Sequence, residues 1–385
     1  MGRTIAARLL LVALGLVLPA LLLETVLRVF GPVIPGNYET GVWAEGHPIV
    51  GHFHIPGATA WVREPEFTTY LRFNSQGLRG PEVAPDKAPG TRRILLLGDS
   101  FVEAKQVAEW DALPDRLAAL LAQSGATPAE LLNSGTFDWS QVHEYLYLHG
   151  VSPSLHPDVV LQFFYVGNDL SDLWPRSRGE LRDLERPVAL LDDDGQLLFP
   201  DWRRRTPDRG EALLGDLSRR SALFRAFETG VVDKLRYRDR GGQGVEGQLL
   251  ELYRFRESPQ ETRAWKTAEA LLVATRDEAE RQGARFGLVI VPGKWQVHRE
   301  DWQALLAARG ETDDDRWVLR GPDRRMAQIA DAHQIPVLDL MPPLRDAADA
   351  GRRLYYPTDI HWTAAGHEVA ARSVADFLLS SGLLN

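Results

Sequence analysis

The chain of 385 residues has no cysteine. That excludes a disulfide framework, a thiol nucleophile and a thiolate metal site, while leaving the compartment open, because an oxidising space tolerates a cysteine-free protein. A concentrated basic patch is missing too: 44 Lys+Arg stand against 53 Asp+Glu, a formal net charge of −9. Phosphate backbones are bound by clustered cations that release counterions, so no nucleic-acid partner is expected. Calcium-loop spacing is absent as well. Asp192-Asp193-Asp194-Gly195 and Asp313-Asp314-Asp315 lack the alternating ligands and closing Glu of such a loop and read as turns. His52 and His54 could share a strand face, but no third ligand stands nearby, so they read as ordinary surface histidines and no metal or cofactor is expected. Gly242-Gln243-Gly244-Val245-Glu246-Gly247 follows a charged segment rather than a strand and reads as a loose loop, not a dinucleotide site. A composition 44% hydrophobic suits a globular chain with a full core.

One long apolar run is present. Leu9 to Leu23 is uninterrupted by charge, and the helical pattern extends from Ile5 to Phe30. A bilayer core needs roughly 20 helical residues, reached here with Glu24 and Arg28 near the interface. No small-x-small cleavage signature follows the run, so residues 1–30 read as an uncleaved membrane anchor rather than a removed signal. Arg3 and Arg8 precede it, which places the N-terminus inside and the remainder outside the cytoplasm.

Residues 31–90 carry Gly and Pro punctuation and short alternating stretches, an extended lead-in with a hairpin running into Asn74-Ser75-Gln76-Gly77. The texture then changes. Short, continuous apolar runs at 93–97, 130–132, 159–164, 286–291 and 336–340 have the character of strands buried on both faces. Helical patterns at 112–123, 141–148, 261–282, 323–333 and 364–379 alternate with them. The expected fold is an α/β/α three-layer sandwich with a mostly parallel five-stranded sheet over residues 91–385. Between 174 and 259 the alternation lapses into a hairpin near Asp192, an amphipathic helix from about Glu211 to Phe227 and a Gly-rich loop, which reads as an insertion or cap.

In open parallel sheets, ligands bind beyond the carboxyl ends of the strands. Gly98-Asp99-Ser100 follows the first strand, Gly167-Asn168-Asp169 the third, and Asp359-Ile360-His361-Trp362 precedes the last helix. Each alone is an ordinary cap or turn. Together they supply a serine at a strand-to-helix turn, an amide and an Asp/His pair, which are the parts of a serine esterase. The i, i+2 spacing of Asp359 and His361 points both side chains the same way on an extended segment, so the carboxylate can hold Nδ1–H while Nε2 faces Ser100. His367 reads as solvent-facing.

These blocks resemble the SGNH or GDSL hydrolases: Leu97-Gly98-Asp99-Ser100-Phe101 is similar to the first family block and Gly167-Asn168-Asp169 to the third. Asp359-x-His361-Trp362, together with Asn74-Ser75-Gln76-Gly77-Leu78-Arg79-Gly80, looks like the membrane-anchored branch related to alginate O-acetyltransferases. In the second block, Asp138 stands where the family has glycine, with Gly135 three residues earlier. The resemblance implies that Ser100 is the nucleophile, His361 the base and Asp359 its orienting acid. The implied oxyanion donors are the Ser100 N–H, the Asn168 amide and the N–H of Asp138 or Gly135. It also implies an extracytoplasmic ester hydrolase acting on acylated glycans or other esters. The alternatives are an O-acetyltransferase working beside envelope polysaccharide-modifying partners, or a non-catalytic glycan-binding protein.

Overall fold

The computed structural model describes residues 2–31, 38–125, 127–173, 186–201, 209–233, 250, 252–254 and 258–384. Its centre is one sheet of β6 (Arg92–Leu97), β7 (Ala129–Asn133), β8 (Val159–Tyr165), β11 (Arg285–Val291) and β12 (Val337–Asp339). Every pairing is parallel and the spatial order is β12-β11-β8-β6-β7. Continuous apolar runs become central strands because helices cover both faces. Along β6, Ile94 and Leu96 face one core layer and Leu95 and Leu97 the other. Helices α3 (Leu113–Gln123) and α10 (Ala364–Ser380) pack together on the first face. On the second face lie α4 (Gln141–Gly150), α8 (Pro259–Arg281) and α9 (Gly321–Ala332). The expected sandwich is present, and its sheet is wholly parallel.

Strand order reverses between β6 and β8, whose chain-connected neighbours leave in opposite directions, so the crevice above their carboxyl ends is where such folds bind ligands. Ser100 follows β6 there, and Asn168 follows β8.

Before the sheet, β1 (Tyr38–Glu39), β4 (Thr59–Arg63) and β5 (Thr68–Arg72) form an antiparallel sheet, and β2 (Ala44–His47) pairs with β3 (Gly51–His54). Helix α1 (Gly2–Phe30) is long and apolar enough to cross a membrane, and Leu11 and Leu16 are about 70% exposed along it. The hairpin expected near Asp192 forms from β9 (Leu190–Leu191) and β10 (Leu197–Leu198), with Asp192 Oδ1 accepting from the Asp194 and Gln196 N–H groups. The expected amphipathic helix is broken at Ser221 into α6 (Arg209–Arg220) and α7 (Ala222–Phe227). The Gly242–Gly247 loop lies outside the described residues.

Three histidines read as surface residues sit elsewhere. His54 is buried, with Nδ1 on the Gly77 carbonyl at 2.9 Å and Nε2 on Glu103 at 3.1 Å. His52 is half-buried with Nε2 on the Phe137 carbonyl at 2.7 Å. His367 is 1% exposed, because its Nδ1 accepts the N–H of Leu113 that begins α3. Tertiary hydrogen bonds of this kind leave no local sequence signal.

Candidate active site

At the end of β6 the chain turns sharply into α2 (Ser100–Glu103). Asp99 is the N-cap: its Oδ1 accepts the Phe101 N–H at 2.9 Å, satisfying a donor the first turn would otherwise leave orphaned. Burial pushes the Asp99 carboxyl up to about 7, against the Phe101 N–H bond and the charge of His361, which favour its anion. Its place beneath the turn makes it a structural cap. Ser100 occupies the first helical position, where the backbone N–H has no intrahelical partner.

A four-residue helix is too short to hold itself. Here its C-terminal end is gripped by Arg79, a buried guanidinium donating to the carbonyls of Glu103 (2.6 Å), Ala104 and Val107 (2.7 Å). Arg79 comes from the Asn74–Gly80 turn, which Asn74 organises by accepting from the N–H groups of Gln76 and Leu78. Gly77 in that turn has φ +78°, and a Cβ there would lie 2.9 Å from the His54 carbonyl, so glycine is required. Glu103 is buried against His54 and stays low: burial raises it, but the hydrogen bond and charge of His54, with Lys105 and Arg79, outweigh that cost.

His361 bridges the other two members. Its Nε2 lies 2.7 Å from Ser100 Oγ and its Nδ1 2.6 Å from Asp359 Oδ1. The Asp/His pair does not lie on an extended segment. Residues 357–361 are a bend, and Asp359 Oδ1 accepts the backbone N–H of His361 at 2.8 Å as well as its ring. A local Asx turn, not strand alternation, makes the i, i+2 spacing work. Burial raises the Asp359 carboxyl, but hydrogen bonds from the ring and backbone of His361, its charge and Lys105 bring it below the ordinary carboxylate value. Glu66, on the β4–β5 turn, clamps this loop from outside. It accepts from the Thr358 N–H (3.0 Å), Thr358 Oγ1 (2.5 Å) and the Asp359 N–H (2.7 Å).

The residues expected as oxyanion donors separate. Gly135 donates its N–H to Asn133 Oδ1 at 3.0 Å and is pressed against the backbone of Glu103, so that N–H is committed to the fold. Asp138 is exposed, sits at φ +56° and lines the cleft beside Ser100, and among the described residues its N–H has no partner. Asn168 is half-buried at the start of α5 (Asp169–Asp172). It stands on the same sheet edge as Ser100, and its Oδ1 is buried without a partner among the described residues. The cleft holds about 400 Å³ and is walled by Glu39, Trp43, Lys105, Phe137 and Arg225. Glu39 and Arg225 pair at 2.7 Å across it. A second cleft of similar volume, around Pro81, Val83, Ala118 and Leu131, contains no nucleophile paired to a base.

Glu66, Glu39, Trp43 and Arg225 were not singled out by the sequence, because they reach the site from 34 or more residues away in the chain. Arg79 was legible only as part of the Asn74–Gly80 block. Among the described residues no cluster of three His, Asp or Glu side chains suits a metal ion.

Wholly parallel sheet, serine turn and His/Asp loop make an SGNH-like arrangement. Residues 244–384 match the family model described as the SGNH hydrolase-like domain of acetyltransferase AlgX, a region that carries Asp359 and His361 but not Ser100. The chain is 32% identical over 116 residues to a probable alginate O-acetylase AlgJ of Pseudomonas putida, which is 30% of this chain and 28% of that protein. It is 34% identical over 105 residues to the namesake of Pseudomonas syringae pv. tomato, or 27% and 25% of the two chains. Each match thus spans about a quarter of the relative's length. Among solved structures, TesA aligns at TM-score 0.39 with 12% identity over 74% of this chain and 98% of its own. A lipase/acylhydrolase from Enterococcus faecalis aligns at 0.37 with 14% identity over 74% and 95%. The similarity to the SGNH hydrolase-like domain is thus confined to residues 244–384, and that to the alginate O-acetylases to about 30% of the chain.

Proposed function

We propose that the protein is a serine-dependent acyl-transfer enzyme that moves an acetyl group onto the hydroxyl of an extracytoplasmic polysaccharide, with α1 as its membrane anchor. The observation that carries this is His361 bridging Ser100 Oγ at 2.7 Å and Asp359 at 2.6 Å. Ser100 Oγ attacks the acyl carbonyl while His361 Nε2 takes its proton. The same imidazolium then protonates the departing group, leaving an acyl ester on Ser100. An incoming hydroxyl, deprotonated by His361, reverses these steps and carries the acyl group away. Asp359 holds the ring with Nε2 toward the serine. The oxyanion donors are then the N–H of Ser100, left without an intrahelical partner at the first helical position, the Asn168 side-chain amide and the N–H of Asp138. Removing one such donor costs roughly 3 kcal/mol of transition-state stabilisation.

Transfer is favoured over hydrolysis by the relatives' description as alginate O-acetylases. The cleft also offers the cation Lys105 beside the nucleophile, suited to a sugar carboxylate. The test gives the full chain in detergent an activated acetyl ester and an alginate oligosaccharide, and follows both acetate release and acceptor mass. Acetylated oligosaccharide from the native chain, and none from Ser100→Ala, is expected. Acetate release with an unmodified acceptor would instead make the enzyme a hydrolase.

A further inference from the structure

Outside α1, the described residues expose an apolar patch with a definite position. Helix α6 presents Leu213, Leu214 and Leu217 at 61%, 50% and 40% exposure, and Phe227 at the end of α7 is 53% exposed. Positions i, i+1 and i+4 fall on one helical face, flanked here by Arg220 one turn on. A soluble surface seldom leaves so many leucines bare on one short helix.

The connection to α1 gives that face its place. Glu24, immediately after the apolar run, accepts from Ser221 Oγ (2.8 Å) and from the N–H groups of Ala222 (3.0 Å) and Leu223 (2.9 Å). Arg28 donates to the Arg220 carbonyl at 2.6 Å, and Leu27 is buried against Ala222. The α6–α7 corner is therefore fastened to the last turns of α1, at the level where a spanning helix leaves the hydrocarbon core. A bare leucine face, edged by arginine and tied to that level, has the composition of a helix lying in the headgroup region.

We infer that α6 and α7 form an interfacial foot lying on the lipid bilayer around the exit of α1. This rests on the reading of α1 as a membrane span. Because Arg225 of α7 pairs with Glu39 and both line the catalytic cleft, the foot fixes the height and orientation of the cleft above the membrane. The acceptor is then met at the bilayer surface.

The cysteine-free sequence permits a direct test with the full chain. Single variants Leu217→Cys, Phe227→Cys, Leu16→Cys and Glu280→Cys are labelled with an environment-sensitive fluorophore and reconstituted in phosphatidylcholine–phosphatidylglycerol vesicles. Emission at 217 and 227 is expected to be roughly halved by brominated acyl chains and spared by aqueous iodide, with Glu280 showing the reverse. Labels at 217 and 227 that follow Glu280, or that resist both quenchers because protein covers them, overturn the inference while quenching at Leu16 preserves the anchor. Loss of lipid quenching at Leu16 itself overturns both readings.

Discussion

At the residue scale, the site depends on two contacts to His361 and one clamp outside them. On the proposed mechanism, alanine at His361 removes the base, whereas Asp359→Asn leaves the ring in place but holds the wrong tautomer. His361→Ala is therefore expected to lower kcat at least as much as Asp359→Asn, by several orders of magnitude. Asp359 adds no acid limb near neutrality, because its carboxyl lies below the ordinary value and stays anionic there. A silent Asp359→Asn, with Asp138 or Asp169 proving essential, would reassign the orienting acid. Glu66 touches no reacting atom and acts through the loop it holds. Glu66→Ala is expected to lower kcat about tenfold with KM little changed, the effect of losing about 1–2 kcal/mol of loop anchoring, and Glu66→Gln should recover part of it. An equal rise in KM alone would place Glu66 in substrate binding instead.

Among elements, what could be read from the sequence depended on whether an element's identity is local. Continuous apolar runs gave all five core strands to within two residues of their ends, and the serine turn and His/Asp loop followed from their positions after them. The lead-in was less legible. Its Asn74–Gly80 block could be seen as a turn, but not that Arg79 would reach under α2, nor that Glu66 would hold the loop of Asp359. Both contacts join segments distant in the chain, and no periodicity encodes them. His367 misled for the same reason: on α10 its neighbours suggest solvent, yet it accepts the first N–H of α3. Burial lowers its imidazole to about 3, so the folded chain resists protonation that the unfolded chain accepts near pH 6.5. Its contribution to stability is whole above pH 6.5 and is lost progressively as pH falls toward 3. Thermal melting should drop between pH 7 and pH 5, and His367→Gln, whose carbonyl can still accept from Leu113, should flatten that drop. An unchanged pH dependence in His367→Gln would show that other groups, such as the buried His143, carry the acid sensitivity.

On the scale of the whole molecule, the parallel sheet delivers the nucleophile, the antiparallel segment before it supplies Trp43, Glu39 and the Glu66 clamp, and α7 closes the cleft with Arg225. The proposed active site is thus assembled from parts spread along the chain, and the claim common to all of them is that Ser100 becomes acylated. Rapid quenching of the full chain with an activated acetyl ester, followed by peptide mass spectrometry, measures that directly. One acetyl group on the peptide bearing Ser100, absent from Ser100→Ala and from His361→Ala, is the predicted result. Undiminished turnover by a folded Ser100→Ala chain, or an acetyl group that accumulates on another residue, would contradict it.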